Sequence, residues 1–282
     1  MRVFIPSTGL CVFQYNWKSN KEKVIMNKFS AALCVAVLAL VAGASAQADD
    51  WKGLYVGGNA GGVKGSSDSF TSTIFSPTGY FAMSSIPAIA AAGKQQLSPR
   101  GFTGGGQVGY NFQRNHFVLG FETDFGAMHV NDDFVSTTTY PCCAPTSLTI
   151  KQSVSTDWLW TARPRLGVAA GPVLLYGTAG FAMTNLKYQA LFLDTFASAH
   201  ESASVDEIRP GWTGGGGVEF RGPGWGHWSM KAEYLFADFG QVNTTSTNLT
   251  AFTPPIPFPS NIFSHQSELQ QHIFRTGFNF RF

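Results

Sequence analysis

Charged residues recur two apart in this chain: Glu122-x-Asp124, Arg163-x-Arg165, Glu219-x-Arg221 and Lys231-x-Glu233, with Asp157, Arg275 and Arg281 in similar settings. Paired carboxylates serve as general acid and base when their surroundings push their pKa values apart. These are therefore the first candidates for chemistry. The spacing favours another use. Successive side chains on a β-strand point to opposite faces, so residues two apart share a face. The signs nearly balance, and a buried charge without a partner is strongly destabilising. Glu122, Asp124, Asp157, Arg163, Arg165, Glu219, Lys231, Glu233 and Arg275 are expected to form one ion-pair and hydrogen-bond network. A narrow conducting path or a site among them is the alternative.

The remaining candidates are weaker. Gly104, Gly106 and Gly109 spell G-x-G-x-x-G, but a dinucleotide fingerprint needs a helix after it and an acid about 20 residues on. Here the glycines lie within one alternating stretch, where glycine relieves close packing. No two of the histidines have the short spacing of a zinc site. His129, His200 and His265, with Tyr80 and Tyr140, fall in expected external loops and offer ligands for a surface haem. The plainer reading is solvated loop side chains. His116 and His227 fall at tight turns, and His272 near the outer end of the last strand. Ser264-His265 lacks an evident orienting acid for acyl transfer. Cys142 and Cys143 are adjacent and cannot staple distant strands; they are free, bonded to each other, or bonded between molecules. No catalytic, metal or cofactor residue is assigned.

The elements that must position these residues begin after a targeting segment. Met26-Asn27-Lys28, the apolar run 29–43 and Ala44-Ser45-Ala46 have the order of a secretory signal peptide. The run is shorter than the roughly 20 residues a membrane helix needs. Met26 reads as the true start, residues 1–48 as removed, and residues 49–282 as one domain. The removed segment carries Arg2, Lys18, Lys21, Lys23 and Lys28 against Glu22, so the net charge of +2 becomes −2. A nucleic-acid partner has no support from this balance.

Eight alternating stretches follow: 51–62, 102–112, 116–127, 154–170, 173–188, 212–221, 228–239 and the C-terminal run. In the last, Phe274, Phe278, Phe280 and Phe282 oppose Arg275, Gly277, Asn279 and Arg281. An apolar stripe set against a charged one fits a closed barrel with lipid outside and a polar lumen. Connections alternate strictly. Tight turns at Arg114-Asn115, Gly171-Pro172 and 222–227 alternate with long segments at 63–101, 128–153, 189–209 and 241–267. All long connections then emerge on one side. The predicted fold is an eight-stranded antiparallel transmembrane β-barrel with short periplasmic turns and long external loops. Trp158, Trp160, Trp212, Trp225, Trp228 and Tyr234 are read as aromatic girdles. An internal repeat, 101–108 against 211–218, suggests a hairpin unit used twice.

Residues 51–61, 104–111, 158–167, 176–180, 211–220, 231–234 and the Phe282 terminus together resemble the small eight-stranded outer-membrane β-barrel (porin-like) family of alphaproteobacteria, which includes hemin-binding members. The resemblance covers the strands and fails in the long loops. It implies an outer-membrane location and contact with membrane lipid and lipopolysaccharide. It also implies recognition by the barrel-assembly machinery through the Phe282 strand. The function it implies is a non-enzymatic structural or porin-like envelope role. The alternative is a surface protein that binds haem or a host or matrix ligand through its loops.

Overall fold

The computed structural model describes residues 51–282; the predicted signal peptide and start at Met26 lie outside the described residues. Eight long strands make the wall: β1 (Gly53–Thr73), β3 (Arg100–Arg114), β4 (Phe117–Thr139), β5 (Ser147–Ala170), β6 (Val173–Asp194), β7 (His200–Phe220), β8 (Trp228–Ser246) and β11 (Phe263–Arg281). Each pairs antiparallel with the next, β8 with β11, and β11 back to β1, which closes the ring. Closure leaves no sheet edge to satisfy in lipid. No helix among the described residues is long and apolar enough to cross a membrane.

The short connections form as expected. Asn115 between β3 and β4, Gly171 between β5 and β6, and Gly224 and Gly226 between β7 and β8 take positive φ. Tight reversals demand that conformation, and Gly and Asn reach it at least cost. The long connections differ from the sequence reading. Most of 63–73, 128–139, 147–153, 189–194, 200–209, 241–246 and 263–267 is strand, hydrogen-bonded in register beyond the membrane level. Thr and Val, which suit strands, recur in most of these segments. Without an apolar outer face, the segments lack the contrast that made the lower strands visible.

The ladder between β7 and β8 spans only Trp212–Phe220 against Met230–Asp238, so the two strands part above that level. Small elements occupy the external end: α1 (Ser85–Gly93), β2 (Lys94–Leu97), β9 (Thr250–Ala251) and β10 (Ile256–Pro257). The alanine run 90–92 favours helix, and Pro87 sits in its first turn, where a missing N–H costs nothing. Ile89 and Ala92 of α1 pack on Leu148, Ile150, Phe192 and Phe263 from the barrel wall. The amide of Gln152 donates to Gly93 O at 2.7 Å, and that of Gln95 to Ile150 O at 3.0 Å. Cys142 and Cys143 are bonded to each other in the turn between β4 and β5.

Candidate functional site

The interior is built in layers. At the periplasmic mouth Trp51 is fully buried, its ring between the guanidinium groups of Arg281 at 4.8 Å and Arg221 at 5.0 Å. Such stacking is favourable because the ring face is electronegative. The Trp51 backbone N–H donates to Gln113 Oε1 at 2.5 Å.

Above it lies a charged layer supplied by alternate residues of β4, β5, β7, β8 and β11. Arg163 Nη2 donates to Glu122 at 2.9 Å and to Asp124 at 2.8 Å. Lys231 Nζ donates to both Glu122 oxygens, at 2.8 and 3.0 Å. Arg275 donates to Glu233 at 2.7 Å and, bidentately, to Asp124 at 2.9 and 3.0 Å. Arg165 Nη2 donates to Glu219 at 2.8 Å. Four carboxylates thus face four cations, and Arg281 from the layer below reaches Glu219 at 3.7 Å.

Neutral side chains complete it. Tyr55 donates to Glu122 at 2.8 Å and accepts from Arg165 at 2.9 Å. Tyr176 donates to Glu233 at 2.9 Å and lies 3.9 Å from the Arg165 guanidinium. Thr161 donates to Asp124, and Ser229 and Asn279 donate to Glu219. Buried pairs hold together only when geometry and further hydrogen bonds offset desolvation. That condition is met at each carboxylate, and none is left as an exposed acid or base.

Eight of the nine residues assigned to this network converge: Glu122, Asp124, Arg163, Arg165, Glu219, Lys231, Glu233 and Arg275. Asp157 does not. The register between β5 and its neighbours shifts around Thr156–Trp158, which reverses which residues face inward. Asp157 therefore points outside, where Lys187 Nζ donates to it at 2.6 Å and Asn185 at 2.7 Å. These two bonds, the lysine's first, hold the Asp157 carboxyl below the usual range. On β11, Phe274, Phe278 and Phe282 are exposed on the outer face, and Phe280 shares that face, partly covered by Trp228 and His227.

The alternative of a loop-borne haem set is not brought together, and His265 also departs from the plainer reading of a solvated loop side chain. His265 is a β11 residue, fully buried and turned inward, between Thr71 Oγ1 at 3.0 Å and Glu201 Oε1 at 3.2 Å. His129 and His200 are exposed strand residues. Tyr80 and Tyr140 both donate to Asp194 Oδ2, at 2.6 and 3.0 Å, and tie the external plug to β6. No group of three or more His, Cys, Asp or Glu residues able to hold a metal occurs among the described residues.

Trp51, Tyr55 and Tyr176 were missed as lumen residues. The available signal was glycine on an inward position. Tyr55 pairs across from Gly109 and Tyr176 across from Gly217. A Cβ at Gly109 would clash with the Tyr55 phenol oxygen, and one at Gly217 with that of Tyr176. Each ring lies over a neighbouring strand that has no side chain there.

A closed ring of eight strands, apolar outside and charged within, defines an outer-membrane β-barrel protein. The profile of the outer membrane protein beta-barrel domain matches residues 32–282, and the chain belongs to that family. It is 31% identical over 234 residues to 31 kDa outer-membrane immunogenic proteins of Brucella melitensis biotype 1 and Brucella suis biovar 1, covering 82% of this chain and 84% of each relative. Among solved structures, the outer membrane protease OmpT from Escherichia coli is 7% identical with a TM-score of 0.39, covering 82% of this chain and 97% of its own. The protein resides in the outer membrane of a Gram-negative envelope.

Proposed function

We propose that the protein is a structural barrel of the outer membrane, without catalytic activity and without a steady conducting path. The observation that carries this reading is the filled interior. Trp51, Tyr55, Arg163, Arg165 and Lys231 are among the largest fully buried side chains, all in the periplasmic half of the lumen. An eight-stranded barrel is just wide enough for its side chains to fill. Each lumen carboxylate is held by cations and hydroxyls, which favours a support role over acid–base catalysis. Planar-bilayer recordings on refolded protein test the reading. Little or no steady conductance is expected. A stable open channel whose ion selectivity changes in Glu233→Gln would overturn it.

A second reading, ligand binding at the external end, is favoured by an aromatic cluster there. Tyr80, Phe252 and Phe258 contact one another, Phe196 packs on Tyr80, and Phe196 and Phe252 are exposed. The turns around them, 74–93, 140–147, 195–199 and 247–262, contain no charged residue. A hemin titration of the same sample separates this reading from haem binding, which the divergent histidines do not favour.

A further inference from the structure

Lys64, Arg100 and His272 stand side by side on the outer wall. The register pairs Lys64 with His272 on β11 and with Arg100 on β3, and all three side chains are exposed. Two residues toward the periplasm, the same face carries Phe274, Gly62 and Phe102. Phe274 is 61% and Phe102 80% exposed, and a Cβ at Gly62 would meet nothing within 4 Å. The cations thus sit directly above two lipid-facing rings with open space between them.

Their height fits a headgroup. Lys64 lies nine residues along β1 from Tyr55, which pairs with Arg281 near the periplasmic end. At about 3.3 Å per residue and a tilt of about 40°, the climb is about 23 Å, close to the apolar band of about 25 Å.

Like charges directly opposite one another destabilise a sheet, and Lys64 stands opposite Arg100. Among the described residues neither makes an ion pair or side-chain hydrogen bond. Several other cations on the external wall are matched: Lys151 with Asp133 at 3.4 Å, Lys187 with Asp157 at 2.6 Å, and Arg209 with Glu207 at 3.1 Å. His272 receives or donates one hydrogen bond at Nδ1, with Tyr234 Oη at 2.7 Å, which keeps Nε2 for a further partner. The uncompensated row calls for an anion, and its place above the Phe belt calls for one carried by a lipid. Arginine and lysine beside each other suit phosphate oxygens.

We propose that this β11–β1–β3 wall binds the phosphate groups of a phosphorylated glycolipid of the outer leaflet. Lys64 and Arg100 hold phosphate, and Phe102 and Phe274 flank an acyl chain. Refolded full-length protein in neutral-detergent micelles, titrated with three lipids, tests this: lipopolysaccharide bearing its lipid phosphates, the same material after enzymatic dephosphorylation, and phosphatidylglycerol. Lipid retention is read by native mass spectrometry, and heat-modifiable gel migration reports folding. Dephosphorylation, and the double variant Lys64→Gln/Arg100→Gln, should each weaken binding about tenfold or more. The control Lys151→Gln/Lys187→Gln, on already matched cations, should bind as wild type does. Unchanged binding by the folded Lys64/Arg100 variant, or equal competition by phosphatidylglycerol, overturns the proposal.

Discussion

The two halves of the barrel are closed by opposite means. In the periplasmic half the lumen is filled by charge: four carboxylates and four cations braced by Tyr55 and Tyr176. In the external half apolar packing predominates, with α1 and Phe81 set against Leu148, Ile150, Phe192 and Phe263 beside a neutral polar strip of Ser67, Ser69, Thr71 and Ser267 and the His265–Glu201 contact. Between them, Val63, Met128, Leu159, Leu186, Leu235 and Ile273 form an apolar layer above the ions. The difference follows from what each half can bury. A strand facing lipid outside must turn its polar residues inward, and there they must neutralise one another. Above the membrane the outer face is polar, so the inner face is free to be apolar, and a loop helix supplies the filling.

Breaking the charged half should cost most. Glu233→Ala removes the acceptor for Arg275 and Tyr176 and leaves cations uncompensated, at about 3–5 kcal/mol; Arg275→Ala should cost a similar amount. Urea midpoints on refolded protein measure both, and a midpoint near wild type for either would mean that the lumen is wet and screened. In the external half, Ile89→Ala should cost about 2 kcal/mol through a cavity beneath α1. Its effect should show as faster proteolysis of 74–99 with the lower barrel intact. Gly109→Ala should cost about 1–3 kcal/mol, because its Cβ would press on the Tyr55 ring and on the Phe121 carbonyl, and its urea midpoint measures this.

A pH dependence separates the halves further. Burial first, and then Asp194, raise the Tyr80 and Tyr140 phenols above their ordinary value. An unfolded tyrosine ionises near about 10, so the tie is intact below that pH and its contribution is lost as pH rises above it. Protease sensitivity of 74–99 should stay level up to about pH 10 and increase from there to about pH 12. Tyr80→Phe/Tyr140→Phe should flatten that increase, and an equally steep rise in the double variant would refute the assignment. The smallest effect is expected at Asp157→Ala. A midpoint indistinguishable from wild type fits its place outside the lumen, and a loss comparable to that of Glu233→Ala would return it to the network.

Much of the barrel was legible from alternation alone. In the lower wall the contrast between Phe121 and Glu122, or Phe274 and Arg275, is wide enough that period two gives the facing of each strand. The lengths of the connections gave the sidedness. Length of strand above the membrane was not legible, because Ser- and Thr-rich stretches such as 135–139 alternate without contrast. The facing of Asp157 was not legible either, since one extra residue in the ladder reverses parity and leaves no mark in composition.

The sequence by itself therefore determined the class of protein, its address and eight of the nine charged residues assigned to the lumen, because the two solvents of a membrane barrel impose a period that any single strand displays. Tertiary structure decided which inward residues meet. Arg165 finds Tyr176 and Glu219, Lys231 finds Glu122, and Arg275 finds Asp124 only because the ring brings far-separated strands across one lumen. It also decided that 85–93 fills the external end and that Lys64, Arg100 and His272 share one row. Pairings of this kind depend on register and closure, which are properties of all the strands together and of no stretch alone.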